Sequence, residues 1–301
     1  MPVIYRAARA EDLQRASELI VCSINELSER HGFGPMATVR PPTFSHFSLG
    51  DDPHGLWVAE EANEILGFAF SWICGDLWFL AQLFVSPGQQ GRGIGQELLR
   101  RTFEHALKAK AGVRALITFA FNSVSQGLYI RHELFPRCPI YNFSVEREDL
   151  IRRLSDEEEE LRCAPLANTP SHLDQLATID ACALGVSRAK HHSFLINDGT
   201  SRGVLLYAAD ECVGYAYVAD GHIGPLAVSR KTALGAAFRT ALNLAAGGTS
   251  PQVSAFIPSP CEAALSAAIE HRMRVTVPMV LMSSSDFGNW TQYLPRNPGF
   301  M

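Results

Sequence analysis

Much of what would tie a chain to a membrane, a nucleic acid or a metal is missing from this sequence. No apolar run approaches the length needed to cross a bilayer, and the opening residues Met1-Pro2-Val3-Ile4-Tyr5-Arg6 hold no signal-peptide apolar stretch. Basic residues are in the minority, 26 Lys and Arg against 31 Asp and Glu, for a net charge of −5. A nucleic-acid binder usually carries the opposite excess. Neither CxxC nor HExxH occurs, so paired-thiol and zinc-protease signatures are absent. His191-His192 has no third ligand at a metal-site spacing and is expected to cap a helix or lie on a surface. The seven cysteines, Cys22, Cys74, Cys138, Cys163, Cys182, Cys212 and Cys261, are odd in number and widely spaced. They are expected to be reduced, buried thiols. These absences predict a soluble cytoplasmic protein without metal, membrane or nucleic-acid partners, either a monomer or a homodimer.

What is present is enough for two cores. The chain has 301 residues, 47% of them apolar and 19% charged, which suits two domains of ordinary size. Val3 to Arg6 reads as a strand. Leu13, Ala16, Ile20, Ile24 and Leu27 then fall on one helical face, after Glu11 and Asp12, whose charges suit a helix start. Residues 31–53, rich in Gly, Pro and aromatics, read as a loop with at most a short helix. Strands follow at Leu56 to Glu60, Ile65 to Cys74 and Leu77 to Val85. Ile94, Leu98, Leu99, Phe103 and Ala106 mark a helix that should stop near Gly112. Ala115 to Ala120 is a strand, Asn122 or Ser123 caps a further helix, and a strand pair is expected over Leu134 to Val145. The order predicts a mixed α/β layer. Residues 148–161 are strongly charged and read as a linker between domains at 1–147 and 162–301. The second half repeats the same order of elements, and its tail, from Asp286 on, is expected to wrap over a surface.

The turn Gln90-Gly91-Arg92-Gly93-Ile94-Gly95 lies between an apolar strand and a helix. Free N–H groups at a helix start, approached without Cβ clashes, suit a phosphate. No Lys follows the glycines, so this is not a P-loop. Gln96 stands where a dinucleotide fingerprint needs its third glycine.

This turn, with Leu83-Phe84-Val85-Ser86-Pro87 before it and Asn122-Ser123-Val124-Ser125-Gln126-Gly127-Leu128-Tyr129 after it, resembles the GNAT superfamily of N-acetyltransferases over roughly residues 1–147. The family pattern there is (Arg/Gln)-x-x-Gly-x-(Gly/Ala), and its downstream Asn-x-x-Ala-x-x-Leu-Tyr segment has Ser125 in place of Ala. The resemblance implies two tandem domains, each a mixed, mostly antiparallel sheet flanked by helices. It implies acetyl-CoA as cosubstrate and a small-molecule or peptide amine as acceptor, attacked in a ternary complex. Leu83, Phe84 and Val85 would pair with the pantetheine arm. Gln90, Gly91, Arg92, Gly93, Ile94, Gly95 and Gln96 would surround the pyrophosphate, and Asn122 and Ser125 would meet the pantetheine. A backbone N–H near Val85 would serve the oxyanion, and Tyr129 would protonate the departing thiolate. The general base stays open among Asp76, Glu26, Glu29 and His54. Arg92, and less so Arg100, Arg101, Lys108 and Lys110, are candidates for the nucleotide 3′-phosphate. Phe33, Met36, Phe44, His46 and Phe47 are expected to line the acceptor pocket. In the second half, Ala233, Ala236 and Phe238 stand where Gln90, Gly93 and Gly95 stand in the first, so that copy is expected to be degenerate. A non-catalytic acyl-CoA-binding or sensing protein remains the alternative.

Overall fold

The structure, a computed structural model, describes residues 2–154 and 161–301. Of the expected linker 148–161, residues 155–160 lie outside the described residues; its start forms part of the short helix α5 introduced below. The chain divides into two compact units. The first holds Met1–Phe135 with Met282–Ser285, and the second Pro136–Leu281 with Asp286–Met301. The boundary expected at residue 147 falls inside the second unit.

In the first unit the elements are β1 (Ile4–Ala7), α1 (Leu13–Arg30), α2 (Thr43–Asp51), β2 (Leu56–Glu61), β3 (Glu64–Cys74), β4 (Leu77–Val85), α3 (Ile94–Lys108), β5 (Val113–Phe119) and α4 (Ser123–Ile130). The segment expected to be mainly loop contains α2, whose Phe44 packs on Phe70 of β3 with ring centroids 5.5 Å apart. The strands lie in the order β1-β2-β3-β4-β5. All pairs are antiparallel except β4 with β5. Met282–Ser285 joins this unit beside β5, where the Ser284 N–H donates to the Arg114 oxygen at 2.9 Å and Ser284 Oγ accepts from the Arg114 N–H.

Alternation along β4 sends its side chains to two faces. Leu83 and Val85 pack with Ile94 and Leu98 of α3 around Ala59, Leu66 and Ala69. Gln82 and Phe84, opposite Phe70 and Phe68, therefore take the other face. Gly67 lets α3 come close to the sheet, because a Cβ there would meet Leu98 Cδ1 at 2.9 Å.

The second unit runs β6 (Phe135–Glu146, in this unit from Pro136), α5 (Arg147–Ile151), β7 (Arg162–Pro165), α6 (Pro170–Leu184), α7 (Ala189–Asn197), β8 (Arg202–Ala208), β9 (Glu211–Ala219), β10 (His222–Val228), α8 (Leu234–Ala246), β11 (Gln252–Pro258), α9 (Glu262–Glu270), β12 (Arg274–Ser283) and β13 (Tyr293–Leu294). The expected strand pair at 134–145 is the single strand β6, antiparallel to β11. From β7 to β11 the order of elements matches that from β1 to β5, and β10 with β11 is again the parallel pair. Tail residues pair as β13 with β10, and Tyr293, Leu294 and Met301 are fully buried. The tail is core rather than surface wrapping.

The histidine pair is also core. His191 and His192 are 2% and 1% exposed, which corrects the capping or surface expectation. His192 bridges Asp180 at 3.0 Å and the Tyr217 hydroxyl at 3.0 Å. Arg188 completes the group with Nε and Nη2 donating to the two Asp180 oxygens, and it also donates to the Tyr215 and Tyr293 hydroxyls and the Met301 oxygen. Burial opposes the Asp180 charge, but Arg188 and His192 outweigh it and hold the carboxyl below the usual carboxylate range. The cysteines are all free, and Cys22 and Cys182 are exposed rather than buried.

Candidate active site

The first unit has an opening in its sheet. Parallel pairing of β4 with β5 runs from Leu77/Val113 to Leu80/Leu116 and goes no further, although β4 continues to Val85 and β5 to Phe119. The divergence begins where β4 carries one extra residue, Ala81, against the Phe70–Ser71 step of β3. Beyond the bulge the strand keeps its bonds to β3, and the Ser86 N–H donates to the Leu66 oxygen at 2.9 Å. Backbone groups alternate along a strand, so those of Val85 and Leu83 point away from β3, towards the opening. The Val85 oxygen accepts from Ser23 Oγ of α1 and from Gln90 Nε2, each at 3.3 Å.

The glycine turn follows directly. Gly91 and Gly93 have φ of +81° and +80°, and a Cβ at either would meet nothing within 4 Å. Their need is conformational, and the space beside them is open to a ligand. Gly93 is the N-cap of α3 and offers no side-chain cap, so the first amides of the helix have no intrahelical acceptor. Gly91, Arg92, Gly93 and Gln96 are exposed, whereas the Ile94 side chain is buried in the core. What the turn presents to this open space is thus mainly backbone N–H groups, the kind of donor that suits an anion.

Asn122 is the N-cap of α4, accepting the Ser125 N–H at 3.1 Å. That bond uses Oδ1, and Nδ2 keeps no partner among the described residues. Tyr129, about two helical turns further on, is 5% exposed. Burial pushes its phenol above the ordinary tyrosine value, so it is a neutral donor at neutral pH.

The base candidates separate by position. Asp76 lies at the far end of β4 and accepts the Gly112 N–H at 2.7 Å. Nine strand residues, roughly 30 Å, lie between it and the Val85 end, so Asp76 does not join the site. His54 is exposed beside the start of β2, and Glu29 is exposed on α1. Glu26 is placed differently. Ser23, one turn earlier on α1, touches Val85, while just past the helix His31 packs tilted against Phe121 beyond β5 and Phe33 stacks on it, with centroids 5.0 and 4.7 Å away. The face of α1 that bears Glu26 therefore spans the interval between the β4 and β5 ends. Asn25 fixes the covering loop by accepting from Met36 and Ala37 N–H, each at 2.8 Å.

Arg92 is engaged by Glu61, with both carboxylate oxygens at 3.1 and 3.2 Å, and by Gln89. Arg100 and Arg101 pair with Glu97 of their own helix, and Lys108 is at its opposite end. Those three belong to a solvated helix face. Phe44, Phe47 and exposed His46 lie on α2, with Phe44 stacked on Phe47 at 6.1 Å.

Several features were not anticipated from the sequence. Ser71, His105 and Asp52 form a chain, buried at Ser71 and His105 and partly exposed at Asp52, with His105 Nδ1 to Ser71 Oγ at 3.0 Å and Nε2 to Asp52 at 2.9 Å. Ser71 is 0% exposed, and the chain fastens α2 to α3 and β3. Gly199-Thr200-Ser201-Arg202-Gly203 has the spacing of a nucleophile elbow, but it leads from a helix into β8 rather than from a strand into a helix. Gln82 is the lone polar residue of the LWFLAQLFV strand.

The second unit has the same layout with its site filled. The turn between β10 and α8 is residues 229–233, shorter than residues 86–93 of the first unit. Ala233 and Phe238 are buried. β13 occupies the edge of β10 that corresponds to the open edge of β4.

A family model described as Acetyltransferase (GNAT) family matches residues 22–133. That stretch lies within the first unit and is similar to a GNAT acetyltransferase domain. Several solved structures share the fold along nearly the whole length of the chain. A Pyrococcus horikoshii protein assigned as an acetyltransferase is 20% identical, covers 99% of this chain and 96% of its own, and has a TM-score of 0.77. A GCN5-related N-acetyltransferase from Sphaerobacter thermophilus is 16% identical over 93% of this chain and 95% of its own, at 0.61. A tandem GNAT protein from the clavulanic acid biosynthesis pathway is 12% identical over 95% of this chain and 99% of its own, at 0.60. The tandem two-domain form of the GNAT fold accounts for both units, and the family supports acyl transfer from acyl-CoA. Among the described residues no cluster of three or more His, Cys, Asp or Glu could hold a metal, and no helix is long and apolar enough to cross a membrane.

Proposed function

We propose that the first unit transfers an acetyl group from acetyl-CoA to the primary amine of a small molecule or peptide, by direct attack within a ternary complex. The observation that carries this reading is an open strand edge, Ala81 to Val85, running straight into an uncapped helix N-terminus at Gly93. The amides from Gly91 to Gln96 hold the pyrophosphate, and the Leu83–Val85 backbone pairs with the pantetheine arm as an added strand. Asn122 donates from Nδ2 to the same arm, beside Ser125. Arg92 exchanges Glu61 for the 3′-phosphate.

Glu26 takes the proton that the ammonium must lose before it can attack. As the C–N bond forms, the Val85 N–H stabilises the charge growing on the thioester oxygen. As the C–S bond breaks, Tyr129, a phenol kept neutral by burial, gives its proton to the sulfur. The second unit is a degenerate copy with a structural part to play.

The test is CoA release from acetyl-CoA with a panel of primary amines, alongside calorimetry of acetyl-CoA binding. Turnover with at least one amine is expected. Tight binding without turnover on any amine favours an acyl-CoA-binding or sensing protein instead.

A further inference from the structure

Gln82 is a polar group on the acceptor side of the sheet that the mechanism leaves unused. It follows the β4 bulge, lies opposite Phe70, and occupies the face that Leu83 and Val85 leave free. Phe70 is covered by Phe44 of α2. Within this aromatic setting the Gln82 Oε1 atom is sealed from solvent and has no hydrogen-bond partner among the described residues. The Glu26 Oε2 atom is in the same condition. That oxygen is ion-paired with Arg30 Nη2 at 3.6 Å, beyond hydrogen-bond distance, and belongs to a side chain that is 38% exposed as a whole. A buried acceptor without a donor is uncommon and costly in folded chains. One such oxygen is explained by the reacting ammonium. A second, on the face of the sheet against which α1 and α2 pack, calls for a second donor on the same ligand.

We propose that Gln82 is a specificity-determining residue that accepts a hydrogen bond from a hydroxyl or amide N–H on the body of the acceptor amine. The acceptor is then a primary amine with an aromatic or aliphatic body, a second donor and no carboxylate, since two acceptor oxygens repel an anion. This rests on the N-acetyltransferase reading.

The experiment uses the full chain and four probes in two pairs: tyramine with phenethylamine, which differ by one hydroxyl, and phenylalaninamide with phenylalanine. CoA release gives kcat/KM, and calorimetry gives the acetyl-CoA Kd independently. The donor-bearing member of at least one pair is expected to be preferred by about tenfold or more, the worth of one buried hydrogen bond. Gln82→Leu, or Gln82→Met should the first fail to fold, is expected to abolish that preference while keeping the acetyl-CoA Kd and the rate with phenethylamine. A preference that survives both substitutions overturns the role of Gln82, although turnover would still uphold the acetyltransferase reading. Lack of turnover with all four amines overturns the acceptor class. Wild-type protein that fails to bind acetyl-CoA overturns the reading underneath.

Discussion

Tyr293 lies across from Ala227 in an antiparallel pair, with Leu294 across from Leu226. Ala227 belongs to β10, the strand that corresponds in order to β4. The edge that β4 leaves open from Ala81 to Val85 is thus taken, in the second unit, by the protein's own tail. Gln292 secures the arrangement, its oxygen accepting the Val228 N–H at 3.0 Å and its Nε2 donating to the Val228 oxygen at 2.9 Å. A strand already paired cannot also take a pantetheine arm. Calorimetry is expected to give one acetyl-CoA per chain, unchanged by Ala233→Gly with Ala236→Gly. Two bound cofactors would overturn the assignment of a single site.

Gly93 has φ of +80° at the N-cap of α3, a conformation that a β-branched residue adopts only under strain. Gly93→Val should turn the amides of the first helical turn away from the pyrophosphate. Acetyl-CoA affinity is expected to fall at least about tenfold, for a strain on the order of 1–3 kcal/mol, with the far-UV spectrum unchanged. Retained affinity would place the cofactor elsewhere.

Tyr129→Phe removes only the hydroxyl from a buried ring, and packing should survive. If that hydroxyl donates the proton, kcat is expected to fall roughly ten- to a thousand-fold while the acetyl-CoA Kd holds. Glu26→Gln is expected to lower kcat/KM for the amine at least about tenfold, again without loss of cofactor binding. An unchanged rate at saturating substrate would remove either residue from its role.

The glycine turn and the strand before it were legible because both are local. A run of apolar residues, a Pro and three glycines carry their own geometry. The position of Glu26 was not, since it depends on where α1 crosses the sheet, and only the contacts of Ser23 with Val85 and of Phe33 with Phe121 reveal that. Asp76 looked equivalent in sequence and proved to be a full strand length from the site. The loss of the turn in the second half reads at the wrong positions in the sequence, because that turn is three residues shorter, 229–233 against 86–93: Ala233 is the N-cap of α8 as Gly93 is of α3, and Phe238 stands where Leu98 does. The plug could not be read, because a two-residue strand such as Tyr293–Leu294 has too little periodicity to announce its partner. His191-His192 misled for a related reason. Adjacent polar residues read as surface unless the buried Asp180 and Arg188 that satisfy them are seen together.

Three histidines of the second unit make stability depend on pH. Burial pushes His191, His192 and His222 below the usual histidine value, His222 to about 4. Burial holds His222 neutral against the opposing pull of the Arg296 oxygen, which accepts from Nε2, while Nδ1 accepts from Ser254 Oγ. In the unfolded chain these rings bind protons below about pH 6.5. Between that pH and about 4 the unfolded state therefore holds more protons than the folded one, and stability falls as pH falls. His222 alone contributes on the order of 3 kcal/mol to this loss. Asp180 adds to it only below about pH 4, where a free carboxylate would protonate. Urea denaturation at pH 7.5, 5.5 and 4.5 is expected to show a midpoint that drops steadily on acidification. His222→Gln should be less stable at pH 7.5 but lose less between 7.5 and 4.5. Parallel losses in the two proteins would mean that His222 is not held neutral by its surroundings.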